Sequence, residues 1–309
     1  MDYHLVSHGA KIANFLKQIL GDLNMQNSIS RRSFLAASGV AAGSAMIANS
    51  SNLLAAQKDD RFGGWPIGIQ SFSLRKFDRD QAIRHMQGLG LHFVEFYSKH
   101  VPLNSTEQQL KELNDQLGKA GISMSSHGVN KFTKDHDKNR KIFKFAKRAG
   151  LKNITCNPTP DSFDSLDKLV AEYDIRVGIH NHGPGSSYDK IQEVVDAVKD
   201  HDPRIGACVD TGHFIRSKED PIDAVKRLGK RVFGLHIKDE EKQEKKSRNV
   251  IIGSGLLDLP MLFTTLKDVG FPADGSISLE YEANPESPID DMQQCLVAAE
   301  KAIAVAGKA

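Results

Sequence analysis

From Trp65 to the C-terminus, short apolar runs of β type alternate with amphipathic segments of helical period, eight times over. The runs at residues 66–71, 92–97, 122–127, 153–157, 176–181, 205–210, 232–237 and 276–282 are the expected strands. Between them, Leu110, Leu113 and Leu117 share one helical face, and Ile191, Val194, Val195 and Val198 share another. Ser105 and Asp220-Pro221 read as helix starts, and Gly90, Gly121, Gly150 and Gly270 fall where left-handed caps end helices. Parallel strands need a crossover between them, which a helix supplies. Eight such units in about 250 residues predict an α/β chain folded as a (β/α)8 TIM barrel. The rival, an open doubly wound sheet, carries a Gly-rich phosphate turn after its first strand. Ile69-Gln70-Ser71-Phe72-Ser73 has no such turn.

The first 56 residues do not share the alternation. Ser30-Arg31-Arg32-Ser33-Phe34-Leu35 precedes a mild Ala/Gly-rich run, with small residues again at Ala55-Ala56. That run is too short and too mild for a stable membrane span. The segment resembles a bacterial twin-arginine export signal, which implies an exported, periplasmic protein. The expected division is therefore 1–56, an N-terminal extension with the signal, and 57–309, the barrel. Met25 would give the signal a conventional start, which makes residues 1–24 either upstream of the true start or an amphipathic extension.

Charge and cysteine content exclude several classes. Lys and Arg number 41 against 39 Asp and Glu, a net charge of +2, so there is no basic field to hold nucleic acid. Three scattered cysteines make neither a disulfide framework nor a Cys-x-x-Cys zinc site. Cys156 and Cys208 are expected as buried thiols on strands that are not neighbours. Homo-oligomerisation is left open.

In a parallel barrel the functional site lies at the C-terminal strand ends. Those ends carry Glu95, His127, His180, His182, Asp210, His213, His236, Lys238, Glu280 and Glu282. A buried charge is costly unless paired or metal-bound, so Asp210, His236 and Glu280 on apolar strands need partners. The spacing places His180, Asp210, His236 and Glu280 on successive strands, where they can converge on one ion. Two nitrogens and two carboxylate oxygens suit a single divalent Mn, Co or Zn. His180 and His182 point to the same face of their strand, so either can be the ligand. Glu95 reads either as a substrate contact or as a structural carboxylate bonded to the first strand. The charged run 239–246 reads as a solvated loop or a lid.

These segments are similar to a known family. Gly68-Ile69-Gln70-Ser71-Phe72-Ser73-Leu74-Arg75, His180-Asn181-His182, Asp210-Thr211-Gly212-His213, His236-Ile237-Lys238-Asp239 and Gly253-Ser254-Gly255-Leu256-Leu257-Asp258 resemble the xylose-isomerase-like TIM barrels. That family includes ketose 3-epimerases, hydroxypyruvate isomerase and inosose dehydratase. The likeness covers residues 65 to 305. It implies Asp210, His236 and Glu280 as metal ligands, His213 as a neighbour that binds substrate or handles protons, and Arg248 as a contact to a substrate oxygen. The epimerases place a glutamate, both ligand and base, where this chain has His180. Inosose dehydratases are histidine-rich there.

The expected activity is that of a metal-dependent isomerase or epimerase acting next to the carbonyl of a free or oxidised sugar, through an enediolate. Glu280, Lys238 and His213 are the candidate catalytic groups, and Glu95, His127, His182 and Arg248 the candidate substrate contacts. The alternative is a dehydratase or lyase on a keto-sugar, keto-inositol or 3-keto-glycoside. A phosphodiesterase of the apurinic-endonuclease type would need more ligands and a basic surface. A non-catalytic sugar-binding protein would favour aromatic platforms, and Trp65 is the sole tryptophan.

Overall fold

All eight expected strands form, one of them in two pieces. The computed structural model describes residues 61–307. In chain order the elements are β1 (Ile67–Gln70), α1 (Arg79–Gly88), β2 (Phe93–Phe96), α2 (Glu107–Ala120), β3 (Ser123–His127), β4 (Asn130–Phe132), α3 (His136–Ala149), β5 (Asn153–Pro158), α4 (Phe163–Tyr173), β6 (Arg176–His180) and α5 (Ile191–Val198). Then come β7 (Ile205–Asp210), α6 (Thr211–Arg216), α7 (Pro221–Leu228), β8 (Val232–Ile237), β9 (Asp239–Glu240), β10 (Asn249–Val250), α8 (Leu259–Asp268), β11 (Ser276–Leu279) and α9 (Ile289–Ala306). The extension and export signal expected in residues 1–56 lie outside the described residues. Among the described residues no helix is long and apolar enough to cross a membrane.

Nine strands make one parallel sheet in the order β3-β2-β1-β11-β8-β7-β6-β5-β4. Its two edges, β3 and β4, are separated in the chain by Gly128 and Val129 alone. The sheet therefore curls until the edges approach. Ser126 Oγ lies 3.2 Å from Thr155 Oγ1, and Asn153 Nδ2 donates to the Ser125 carbonyl at 3.3 Å, both bridging β3 to β5. Every residue of β1, β7, β8 and β11 is buried, as expected of strands covered on both faces. Gly206 shows how closely neighbours approach, since a Cβ there would lie 2.0 Å from the Arg231 carbonyl oxygen.

The helix starts follow from capping. Asp78 and Gln81 close a reciprocal box on α1, and Thr106 and Gln109 one on α2. The residue expected to start α2, Ser105, instead donates from its hydroxyl to the Pro102 carbonyl. Cys156 and Cys208 are buried free thiols, as expected, on β5 and β7 with β6 between them.

The run 239–246 departs from the expected solvated loop. Residues 241–246 are exposed, but Asp239 and Glu240 are buried in a short ribbon, β9 against β10. The Asp239 carboxylate accepts from the backbone N–H groups of Glu240, Gly253, Gly255, Leu256 and Leu257, all at 2.8–2.9 Å. This explains the Gly253-Ser254-Gly255 sequence. Gly253 sits at φ +81°, and a Cβ on Gly255 would meet the Glu240 carbonyl oxygen at 2.4 Å.

Replacing Asp239 by Ala leaves those donors without an acceptor. The expected cost is about 3 kcal/mol, or roughly 6–12 °C in Tm. Thermal unfolding followed by circular dichroism checks it, and a shift below about 2 °C would show that the carboxylate does not hold the loop.

Candidate metal centre

Four neighbouring strands, in the sheet order β11-β8-β7-β6, deliver one charged or imidazole group each to the same end of the sheet. Asp210 closes β7 and caps α6: its Oδ1 accepts from the His213 N–H at 2.7 Å. Asn181 clamps it from the side, donating to the Asp210 carbonyl at 2.9 Å and accepting from the Asp210 N–H at 2.8 Å. Oδ2 is thereby left to face inward. His180 closes β6, His236 lies one residue before the end of β8, and Glu280 follows β11.

One ligand atom from each of His180, Asp210, His236 and Glu280 lies within 4.8 Å of the other three, and all four residues are buried. His180 Nε2 stands 2.9 Å from His236 Nδ1 and 3.3 Å from Asp210 Oδ2, and His236 Nδ1 is 2.8 Å from Glu280 Oε2. Asp210 Oδ2 and Glu280 Oε2 are buried and accept no well-formed hydrogen bond, with the Lys238 ammonium as their shared ion-pair partner. Two such inward-facing oxygens beside two imidazole nitrogens fit a borderline divalent cation. Of the two histidines left open by spacing, His180 supplies the converging atom. His182 lies above it, ring centroids 4.6 Å apart, and lines the cavity.

Lys238 balances this charge. Its ammonium is 3.2 Å from Asp210 Oδ2 and 3.0 Å from Glu280 Oε2, and it also bonds Glu282. Burial opposes its charge, but the three carboxylates outweigh burial and raise its pKa. The reverse holds for the acids. Burial pushes the Asp210 carboxyl up, and the Lys238 ammonium and the His180 hydrogen bond outweigh it to hold the group well below the usual range. Glu280 is lowered too, with Lys238 and His236 overcoming its burial. Burial pulls His182 down to about 4 and His213 to about 2, so both are neutral at neutral pH. Arg216 donates to His213 Nδ1, which leaves the ring proton on Nε2.

Above the cluster lies a cavity of about 310 Å³, lined by His180, His182, His213, Lys238, Glu280 and Glu282 on one side. Gln70, Phe72, Tyr97, Gly128 and Val129 line the other. Three of the expected substrate contacts are not in this lining. Glu95 is fully buried, with His236 Nε2 and Ser278 Oγ bonded to its Oε2 at 3.0 and 3.1 Å. His127 Nε2 bonds the Val101 carbonyl at 2.9 Å, and Asn130 reaches its Nδ1 at 3.2 Å. Arg248 lies out on β9–β10's loop, with 71% of its side chain exposed, paired with Glu241 at 3.3 Å. In their place the cavity uses Gln70, Phe72, Tyr97 and Val129, which carry no charge and hence no signal beyond their position at strand ends.

A family model described as a xylose isomerase-like TIM barrel matches residues 83–299, a span that includes all four converging residues. The 3-oxo-isoapionate decarboxylase of Pectobacterium atrosepticum is 28% identical over 130 residues, 39% of this chain and 46% of that protein. Inosose dehydratase of Lacticaseibacillus casei is 24% identical over 123 residues, 35% and 41% of the two chains. The chain thus spans less than half the length of these curated relatives. A solved structure of an uncharacterised protein from Parabacteroides distasonis ATCC 8503 is similar at a TM-score of 0.61 and 27% identity, covering 77% of this chain and 99% of that one.

Replacing Lys238 by Met removes the cation between buried Asp210 and Glu280, a change expected to cost about 3–5 kcal/mol in metal-free protein. Added Mn²⁺ supplies the missing charge, so it should raise the Tm of the variant more than that of the wild type. Equal shifts in the two proteins would show that Lys238 does not balance these carboxylates.

Proposed function

Because the chain belongs to the xylose isomerase-like TIM barrel family, we propose that it removes a proton next to the ketone of an uncharged keto-sugar and expels a β-substituent, as a dehydratase or lyase. The observation that carries this reading is the convergence of His180, Asp210, His236 and Glu280 beneath a cavity whose opposite wall carries, among its lining residues, no acid–base group except Tyr97. Those four residues would hold one Mn, Co or Zn ion. Such an ion, when bound, would polarise the ketone and a neighbouring hydroxyl and lower the cost of the enediolate.

The remaining chemistry falls to side chains. Glu280, ionised at the cavity wall, takes the proton from the carbon beside the carbonyl and returns it on the same face to the departing β-oxygen, which leaves as water or an alcohol and restores the carboxylate. His213 donates from Nε2 to an oxygen at the opposite end of the reacting unit, its other nitrogen being held by Arg216. His182, neutral and lining the cavity, offers its ring to a substrate hydroxyl. Lys238 keeps its proton and holds the carboxylates ionised.

Two features narrow the reaction. Every titrating group of the lining except Tyr97 comes from β6, β7, β8 and β11 or the residues just after them. Tyr97 faces them, and burial raises its hydroxyl pKa. Proton removal and return on one face suit elimination, and also isomerisation, which shares the first step. Epimerisation needs a proton delivered to the other face. Secondly, Lys238, the one cationic side chain among the lining residues, is already engaged by three carboxylates, so the side chains offer a phosphate ester no free counter-charge. The names of the curated relatives, a decarboxylase and a dehydratase, support loss of a group over stereochemical inversion. Export through the twin-arginine signal read at residues 30–56 would fit a free sugar or glycoside.

Elemental analysis of purified protein is expected to find about one equivalent of Mn, Co or Zn, lost in an Asp210→Ala, Glu280→Ala variant. Screening keto-inositols, keto-sugars and 3-keto-glycosides should then give metal-dependent elimination, falling at least about a hundredfold on chelation. Absence of metal binding would point to a sugar-binding protein. Two or three equivalents would point to a phosphodiesterase.

A further inference from the structure

Glu95 is the buried charge that the proposed reaction does not use. It sits on β2, which lies three strands from β8 in the sheet order β2-β1-β11-β8, so its side chain reaches His236 across the interior rather than along the sheet. It is fully inaccessible. Gly128 stands over it, and a Cβ there would lie 2.9 Å from Glu95 Oε1, so no ligand in the cavity reaches it. A carboxylate in such a place costs several kcal/mol unless its partners repay it, and replacement by an apolar side chain is often neutral or stabilising. The ion pair alone is therefore a weak reason for a glutamate here.

The geometry of the pair supplies a stronger one. An imidazole has two nitrogens, and the one that faces a ligand site is set by what the other bonds. Glu95 Oε2 accepts from His236 Nε2 at 3.0 Å, which fixes the proton on Nε2 and turns Nδ1 toward His180 and Glu280. Ser278 Oγ donates to the same oxygen at 3.1 Å from the adjacent strand β11 and keeps the carboxylate pointed at the ring. The Cys208 thiol already lies close enough to form a second group of possible ligand atoms with Glu95 and His236, so the carboxylate shares the ring with a competing neighbour.

We infer that Glu95 is a positioning residue, supported by Ser278, that selects the His236 tautomer and ring orientation in which Nδ1 serves the upper cluster. The inference rests on the metal reading of that cluster. Partners of this kind typically change metal affinity by 10–100-fold.

The test uses Co²⁺ as probe, with visible absorption and chelator competition for affinity, and the thermal midpoint of the metal-free protein for folding. Glu95→Ala is expected to weaken Co²⁺ binding by about 10–100-fold. Glu95→Gln, which keeps an acceptor oxygen, should recover part of that loss. Ser278→Ala should weaken binding several-fold with little change in the metal-free Tm. Where the Glu95 variants do not fold, Ser278→Ala carries the test, and an unchanged affinity in it overturns the inference. Lowered Tm in the Glu95 variants with Co²⁺ affinity unchanged would reduce Glu95 to a structural ion pair. A second equivalent of Co²⁺ in the wild type, lost in Cys208→Ser, would make Glu95 a ligand and overturn the positioning role. If the wild type binds no Co²⁺, the cluster itself is misread and this inference falls with it, an outcome separable from loss confined to the variants.

Discussion

Everything at the C-terminal end of the sheet follows from the need to balance negative charge in a dry place. Asp210 and Glu280 lie on buried backbone, and Glu95 lies deeper still. Desolvation opposes ionisation of each, and each is nevertheless ionised because Lys238 and His236 stand between them. Interaction at these separations is strong in a low dielectric, and removal of one partner is costlier than the pair is beneficial. The cluster is therefore all or none: a chain that places one of these groups on an apolar strand must place the others. That interdependence is why charged residues recur at the ends of otherwise hydrophobic strands.

The same constraint explains the shell of uncharged hydrogen bonds around the cluster. Asn181 holds the Asp210 backbone from β6's end, and Thr211 Oγ1 donates to the Lys238 carbonyl at 2.6 Å while accepting from the Lys238 N–H at 2.9 Å. Asp239, one residue on, gathers four N–H groups of the loop leading into α8 and one of its own neighbour. None of these contacts neutralises charge. They fix where the charged side chains leave the backbone, so that Asp210 Oδ2 and Glu280 Oε2 turn to the Lys238 ammonium and the imidazoles rather than to backbone donors.

Much of this was legible in the sequence, for reasons tied to particular residues. Strands β7 and β8 begin and end where the apolar runs do, because their neighbours on both sides bury them completely. Asp210, His236 and Glu280 stood out because charge on such a run demands a partner. Depth along a strand was not legible. Residues two apart share a face but differ by about 6–7 Å in height. So His180 and His182 could not be told apart, although one sits in the cluster and the other at the rim. Glu95 and Tyr97 show the same parity problem on β2's side: the first is sunk beneath the cluster and the second lines the cavity. The break between β3 and β4 was invisible because it depends on which strands come to lie side by side. Asp239 looked like the start of a charged surface run because its backbone acceptor role comes from a loop 14–18 residues away.

The division of the cavity into two unlike walls is a consequence of the strand order. β6, β7, β8 and β11 are contiguous in the sheet, and so their acids, imidazoles and ammonium form one continuous surface. β1, β2 and the β3–β4 break form the other side, where the lining residues are Gln70, Phe72, Tyr97, Gly128 and Val129. A glutamate in the place of His180 would put a second carboxylate base beside the reacting carbon. His180, with Nε2 turned into the cluster, offers no such base to the substrate. Chemistry that needs only one face of the carbon remains open to this arrangement, and chemistry that needs both would have to recruit a group from a wall that is largely apolar.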